Sequence, residues 1–139
     1  MDDPHDLQRF VSAQLPVMAQ VEAELAAGAK ASHWMWFVFP QLRGLGRSAT
    51  ALHFGLASKD EARAYWAHPL LGPRLKACSE LVLAVDRKTA HEIFGSPDDL
   101  KFRSCMTLFN AVVPDEPVFG RALKKYFDGQ PDARTLELL

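Results

Sequence analysis

Cysteine is nearly absent. Cys78 and Cys105 are the only two in 139 residues, and they form no CxxC, which excludes the common thiol metal and redox motifs. In a chain of intracellular type, two such residues are expected to be buried, reduced thiols rather than a disulfide. Charge of one sign is also missing: sixteen basic against seventeen acidic residues leave a formal charge of -1. That balance provides no field to hold a polyanion, so no binding of a nucleic acid polymer is expected. Long apolar runs are lacking too. The longest, Trp34 to Phe39, is far below the length that spans a bilayer, and the opening Met1-Asp2-Asp3-Pro4-His5-Asp6 is acidic where a signal peptide is basic. These features predict a cytoplasmic protein with no membrane association. The five histidines His5, His33, His53, His68 and His91 show no HExxH or clustered ligand spacing, so neither a metal site nor a dedicated cofactor is expected.

What is present is the composition of a soluble globular protein, with 48% hydrophobic and 24% charged residues. A chain of this length buries roughly two-thirds of the surface its unfolded form exposes and is too short for two cores of that quality. Residues 1–139 are therefore expected to form one domain.

Helix start and stop signals recur along the whole sequence, and strand signals are thin. Asp3 with Pro4 is a cap and first-turn pair for a helix carrying Leu7, Phe10 and Val11 on one face. Pro16 reopens the chain as a second helix, with Val17, Val21 and Leu25 in a stripe and Gly28 at its end. Ser58-Lys59-Asp60-Glu61 has the capping-box pattern, and its helix should stop near His68-Pro69. From Leu70, the residues Leu71, Leu75, Cys78, Val82 and Val85 recur at three and four, the period of a buried helical face. Thr89-Ala90-His91-Glu92 repeats the capping box, and Ser96-Pro97-Asp98-Asp99 offers another cap with proline at the first helical position. Asp115 with Pro117 starts a helix through Phe119, Leu123 and Phe127 to Gly129, and Asp132 caps a last turn or two. The aromatic run from His33 to Phe39 fits a buried helical turn or a strand equally by period, and the helical context assigns it to helix, ended by Pro40. The predicted fold is all-α, a single compact domain of about six to eight short to medium helices.

Four blocks carry a family resemblance: Lys30 to Gln41 around His33-Trp34-Met35-Trp36, Gly44-Leu45-Gly46-Arg47-Ser48, His68-Pro69-Leu70-Leu71-Gly72-Pro73-Arg74-Leu75, and Phe94 to Phe109. Together they resemble domain-of-unknown-function family 1810, over nearly the whole chain. The resemblance implies a small, mainly α-helical domain and carries over no reaction, cofactor or catalytic residue. Cys105 stands where a second small hydroxyl residue is expected after Ser104, which weakens a mechanism needing that side chain. Some members of the family are labelled calpastatin. An extended inhibitor of that kind should be poor in aromatics, and this chain has nine Phe and three Trp.

Function must then be argued from chemistry. Arg43-Gly44-Leu45-Gly46-Arg47-Ser48 combines two glycines that let backbone approach a ligand, a serine that can cap the next helix, and arginines that favour an anion. It lacks the ending of a P-loop and follows no strand, and a plain glycine turn between helices explains it as well. Trp34 and Trp36 offer a stacking surface, with His33 and Gln41 to read the edge of a base, although tryptophans in so small a domain also serve as core. Asp98, Lys101, Ser104 and Thr107 form a polar stripe along an otherwise apolar helix, suited to holding a polar ligand or to a buried structural network. His68 and Arg74 flank a proline-glycine turn and add a general acid or base and an anion clamp, or simply a cap and a surface pair.

The resulting expectation is a small soluble domain that binds a small anionic or nucleotide-like ligand, with hydrolase or transferase activity at that site as frequent as simple binding. The ligand-binding candidates are Trp34, Trp36, Gln41, Arg43, Gly44, Gly46, Arg47, Ser48, His68, Arg74, Asp98 and Thr107, and the weak catalytic candidates are His33, Lys101 and Ser104. The competing expectation is a protein-interaction or homodimerisation module whose exposed aromatics Trp36, Phe37 and Phe39 form a contact surface.

Overall fold

Residues 3–139 are described by a computed structural model. Ten helices run through them: α1 (Gln8–Gln14), α2 (Met18–Ala27), α3 (Met35–Val38), α4 (Ala49–Phe54), α5 (Lys59–Ala67), α6 (Leu71–Leu83), α7 (Ala90–Phe94), α8 (Asp98–Val112), α9 (Pro117–Phe127) and α10 (Ala133–Leu138). Six have seven residues or more. The fold is all-α, as the periodicity predicts. Among the described residues the extended backbone pairs only at one parallel bridge, Leu42 to Leu56, where Arg43 N–H donates to Leu56 O at 2.8 Å and Leu56 N–H to Gln41 O at 3.0 Å.

The buried apolar side chains join into one core, with α8 as its axis. Phe102, Cys105, Met106, Leu108 and Phe109 of this helix are fully buried, and α5, α7, α9 and α10 all pack against it. Phe39 stands edge-on to Phe94 and Phe102, with ring centroids 5.9 and 5.1 Å apart, a favoured arrangement because the positive ring edge meets the negative face. The aromatic run from His33 to Phe39 resolves into the single turn α3, and burial of Trp34, Met35, Val38 and Phe39 makes most of it core.

The caps follow the sequence closely, with four local differences. Asp3 is not the N-cap, a position taken by Leu7; its carboxylate accepts from Leu7 and Gln8 N–H at 2.8 and 2.9 Å from the preceding turn, where Pro4 also lies, and the helix begins at Gln8. Pro97 occupies the N-cap position of α8 after a cis Ser96-Pro97 bond, and Ser96 does not cap. Glu116, rather than Asp115, accepts the Val118 N–H that opens α9. Ser58 caps α5 through Glu61 N–H at 3.1 Å, but the Glu61 side chain turns away from the expected box. Thr89 and Glu92 form the full capping box, and Gly28 closes α2 in the left-handed conformation.

Glu61 is diverted because Arg9 claims it. The Arg9 guanidinium donates through Nε to His53 O (2.8 Å), through Nη1 to His5 O (2.6 Å) and Asp6 O (2.8 Å), and through Nη2 to Gly55 O (3.3 Å) and Glu61 Oε2 (2.7 Å). All five guanidinium donors are thereby spent. Glu61 Oε1 accepts Ala57 N–H at 2.8 Å, and both side chains of the pair are less than a tenth exposed. One ion pair thus joins the N-terminal loop, α1, the turn after α4 and the start of α5.

Cys78 and Cys105 are free and buried. Burial pushes the Cys78 thiol up to about 12 and the Cys105 thiol well above its ordinary range, so both remain protonated at neutral pH and neither is a poised nucleophile.

Removing one member of a buried, hydrogen-bonded ion pair strands the other, at a cost of about 3 kcal/mol or more. Arg9→Met and Glu61→Gln should each lower unfolding free energy by about that amount in urea titrations. The double variant should lose distinctly less than the sum of the two.

Candidate functional site

Two segments joined by a short connection, residues 35–41 and 51–55, wall a narrow crevice beside α8. Met35, Trp36, Phe39 and Gln41 form one side, Ala51, Phe54 and Gly55 the other, and Lys101 reaches in from α8. Its volume is about 240 Å³, but much of that is open to solvent, and the enclosed part has room for about one water molecule.

Close backbone approach shapes the second wall. A Cβ on Gly55 would lie 2.8 Å from the Arg43 Cα and 2.9 Å from Ala51 O, and one on Gly46 would lie 2.5 Å from the Ala51 Cβ. Between these glycines, Ser48 caps α4 by accepting Ala51 N–H at 3.1 Å. Phe54 leans against Phe37 and Phe10, with centroids 5.3 and 5.7 Å apart.

The first wall is anchored by Glu24 of α2. Its Oε1 accepts Ala31 N–H (2.8 Å), Ser32 N–H (3.1 Å) and the Trp34 indole N–H (2.9 Å), and its Oε2 accepts the Ser32 hydroxyl. Desolvation pushes this carboxyl up. The hydrogen bonds, that from Ser32 foremost, outweigh it and hold the group at about 2. Trp34 is therefore a structural indole, 1% exposed, and Trp36 is the one that faces the crevice.

Charge at the crevice comes from two lysines that share one carboxylate. Lys30 Nζ lies 2.8 Å from Asp98 Oδ2, donates to Ser32 O at 2.6 Å and stands 5.0 Å from the centre of a Trp34 ring. Lys101 Nζ lies 3.6 Å from Asp98 Oδ1 and 4.7 Å from the centre of a Trp36 ring. With the Glu24 carboxylate at the Trp34 indole counted, two positive charges meet two negative ones, and Lys101 is the ammonium that lines the crevice itself. Lys30 is largely enclosed, its side chain 7% exposed, and Lys101 at 22% keeps access to solvent.

Of the residues singled out from sequence, the fold brings Trp36, Gln41 and Lys101 together, with Asp98 and Trp34 just behind and Gly46 and Ser48 shaping the wall. The rest lie elsewhere or are already occupied. Ser104 donates to Leu100 O at 3.1 Å along its own helix, and Thr107 donates to Arg103 O at 2.8 Å while accepting Asp132 N–H at 2.9 Å to seat α10. The lower half of the polar stripe is thus structural. His68 Nδ1 accepts Leu70 and Leu71 N–H at the start of α6, and Arg74 donates to the buried Gln14 at 3.2 Å. His33 and Arg47 are exposed, Gly44 sits in a turn with φ 107°, and Arg43 lines a different pocket. Phe39, read as part of an exposed contact surface, is buried in the core. Met35, Ala51, Phe54, Gly55 and Glu24 were not singled out. No local spacing marks them, because each acts through contacts with distant segments. No group of three or more His, Cys, Asp or Glu able to hold a metal occurs among the described residues, and no helix there is long and apolar enough to cross a membrane.

A family profile described as Protein of unknown function (DUF1810) matches residues 4–139. The chain belongs to this family. It is similar to a solved structure, that of the conserved hypothetical protein Rv1873 from Mycobacterium tuberculosis at 1.38 Å, with 54% identity and a TM-score of 0.98 over 99% of this chain and 98% of that one. The chain matches no curated protein. Family membership thus carries the helical architecture and leaves the activity to be argued from the crevice.

The Glu24 carboxylate links the site to pH. Its folded pKa lies below its ordinary 4.5, so its contribution to stability is complete above about pH 4.5 and is lost as pH falls towards 2. Glu24→Gln should lower unfolding free energy at pH 7 by about 2 kcal/mol. The fall of the melting temperature between pH 4.5 and 2 should be shallower in that variant than in the wild type.

Proposed function

We propose that the protein binds a small anion bearing a planar or apolar group, with the anion held by Lys101 and the apolar part entering beside Trp36. Nucleotide-like ligands are the larger end of this class, and small aromatic carboxylates and phosphomonoesters the smaller. The observation that carries the reading is the Lys101 ammonium, held over the Trp36 ring at the mouth of an apolar crevice and only loosely engaged by an Asp98 that Lys30 already claims. Gln41 supplies a carboxamide in the same lining, suited to orienting a polar edge.

Admitting a ring requires the second wall to move outward, since the enclosed space holds about one water. None of the six residues of α4 is buried, so its start is the part of the wall that can move, while Phe54 and Gly55 at its end are held by Phe10, Phe37 and Arg9. Binding is favoured over hydrolysis or transfer, because His33 lies outside the lining and the Ser104 hydroxyl is spent on its own helix. Phe39 is core, and Phe37 packs against it, which weighs against a flat aromatic contact surface.

A thermal-shift series with benzoate, phenyl phosphate, adenosine monophosphate and inorganic phosphate tests the reading. A ligand at a hundred times its Kd adds about 2.7 kcal/mol, several degrees in a domain of this size. At least one ring-bearing anion should stabilise the protein more than inorganic phosphate does. Lys101→Ala should remove that shift, whereas Lys124→Ala on α9 should not. The absence of a shift with every ring-bearing anion, or a shift indifferent to Lys101→Ala, overturns the proposal.

A further inference from the structure

On the other side of the turn after α4 lies a second, polar pocket of about 390 Å³, open to solvent and lined by His5, Asp6, Arg9, Arg43, His53 and Glu61 together with Pro4 and Ala57. Its floor is the Arg9–Glu61 pair, whose hydrogen-bonding groups are turned inward and spent. Arg9 has no donor left, and Glu61 accepts from Arg9 and Ala57. The unspent chemistry is at the rim. The side chains of Arg43, His5 and His53 make no hydrogen bond among the described residues.

Their positions are built by the fold. Arg9 holds the backbone of both histidines, through His5 O and His53 O. The His53 ring stands edge-on to Phe54 at 4.6 Å. Arg43 is pinned by its N–H to Leu56 O and by the close approach of Gly55.

We infer that this pocket is an oxyanion site, in which Arg43 grips a sulfate-, phosphate- or carboxylate-type group and the His5 and His53 imidazoles close around it when protonated. The charges facing the site explain why protonation matters. Arg9 cancels Glu61, and Arg43 is opposed by Asp6, so the fixed charges of the lining balance and a protonated imidazole adds the positive charge that favours an anion. A guanidinium fork matches the planar or tetrahedral oxygens of such a group. The oxyanion is either a free ion or the head of a larger molecule, and the open mouth of the pocket admits either.

The site is separate from the Trp36 crevice, so the two readings stand or fall independently. The test is an NMR titration of the imidazole protons of the full-length protein between pH 5 and 8, with and without sulfate, and again with glycerol phosphate. A bound anion stabilises the charged imidazoles, so the midpoints of His5 and His53 should rise by roughly half a pH unit or more, whereas the exposed His33 serves as the internal reference and should barely move. Sulfate alone producing the rise points to a free ion, and a larger rise with glycerol phosphate to the head of a larger molecule. Arg43→Gln, at an exposed position held through its backbone, should fold and lose the rise, and Lys101→Ala should keep it. Equal movement of His5, His53 and His33, no movement with either anion, or a rise that survives Arg43→Gln overturns the inference.

Discussion

The Arg9–Glu61 ion pair is the constraint on which the rest of the site depends. Arg9 lies in the first helix and Glu61 fifty-two positions later. The same guanidinium also gathers carbonyls from His5, Asp6, His53 and Gly55. A carbonyl buried without a donor is costly. Of the four carbonyls Arg9 gathers, that of Gly55 belongs to a buried residue and those of Asp6 and His53 to exposed ones, so one side chain both satisfies the buried acceptor and ties the irregular turn to the first helix. That turn is the common wall of both candidate sites: Phe54 and Gly55 face the Trp36 crevice, and His53 and Ala57 face the polar pocket.

Glu24 does for the opposite wall what Glu61 does for this one. Each carboxylate sits on a helix and spends its oxygens on the backbone N–H groups of a neighbouring irregular segment, Ala31 and Ser32 in one case and Ala57 in the other. The segments differ in what the anchoring achieves. Glu24 also takes the Trp34 indole N–H, which satisfies a donor that would otherwise be stranded in the core and commits this tryptophan to structure. Trp36, two residues on, has no such partner and is left to Lys101 and the crevice.

How much of this was legible in the sequence follows from the range of each interaction. Helix starts and ends depend on residues within about four positions, so the Thr89 box, the Gly28 cap, the Ser48 cap and the Leu71–Val82 face could be read directly. The errors are local too. Pro97 and Glu116 differ from expectation by one position, because several residues compete for each cap. The Glu61 side chain was misread for a different reason: its pattern is that of a capping box, and only the fold reveals that Arg9 offers a charged partner. The crevice was half legible. The Trp34 and Trp36 block stands out by composition, but Ala51, Phe54 and Gly55 are ordinary residues that become a wall only when the Leu42–Leu56 bridge closes. The polar stripe on α8 divides for a similar reason. Ser104 and Thr107 can bond back to the carbonyls four residues earlier, an option a serine or threonine always has inside a helix, whereas a lysine must find its partner elsewhere.

Under the proposed function, the distribution of charge around Asp98 favours Lys101 over Lys30 as the lysine that meets the ligand. Lys30 is the more enclosed, makes the shorter contact and has a carbonyl and an indole face besides. Displacing it would bury an unpaired ammonium, which costs several kcal/mol. Lys101 has the longer contact and greater exposure, and because Lys30 already offsets the Asp98 charge, an anion approaching Lys101 meets little repulsion from the carboxylate behind it. The buried lysine thus frees the exposed one. Without Lys30, Asp98 and Lys101 would neutralise each other, and the crevice beside Trp36 would be an apolar slot with no preference for charge.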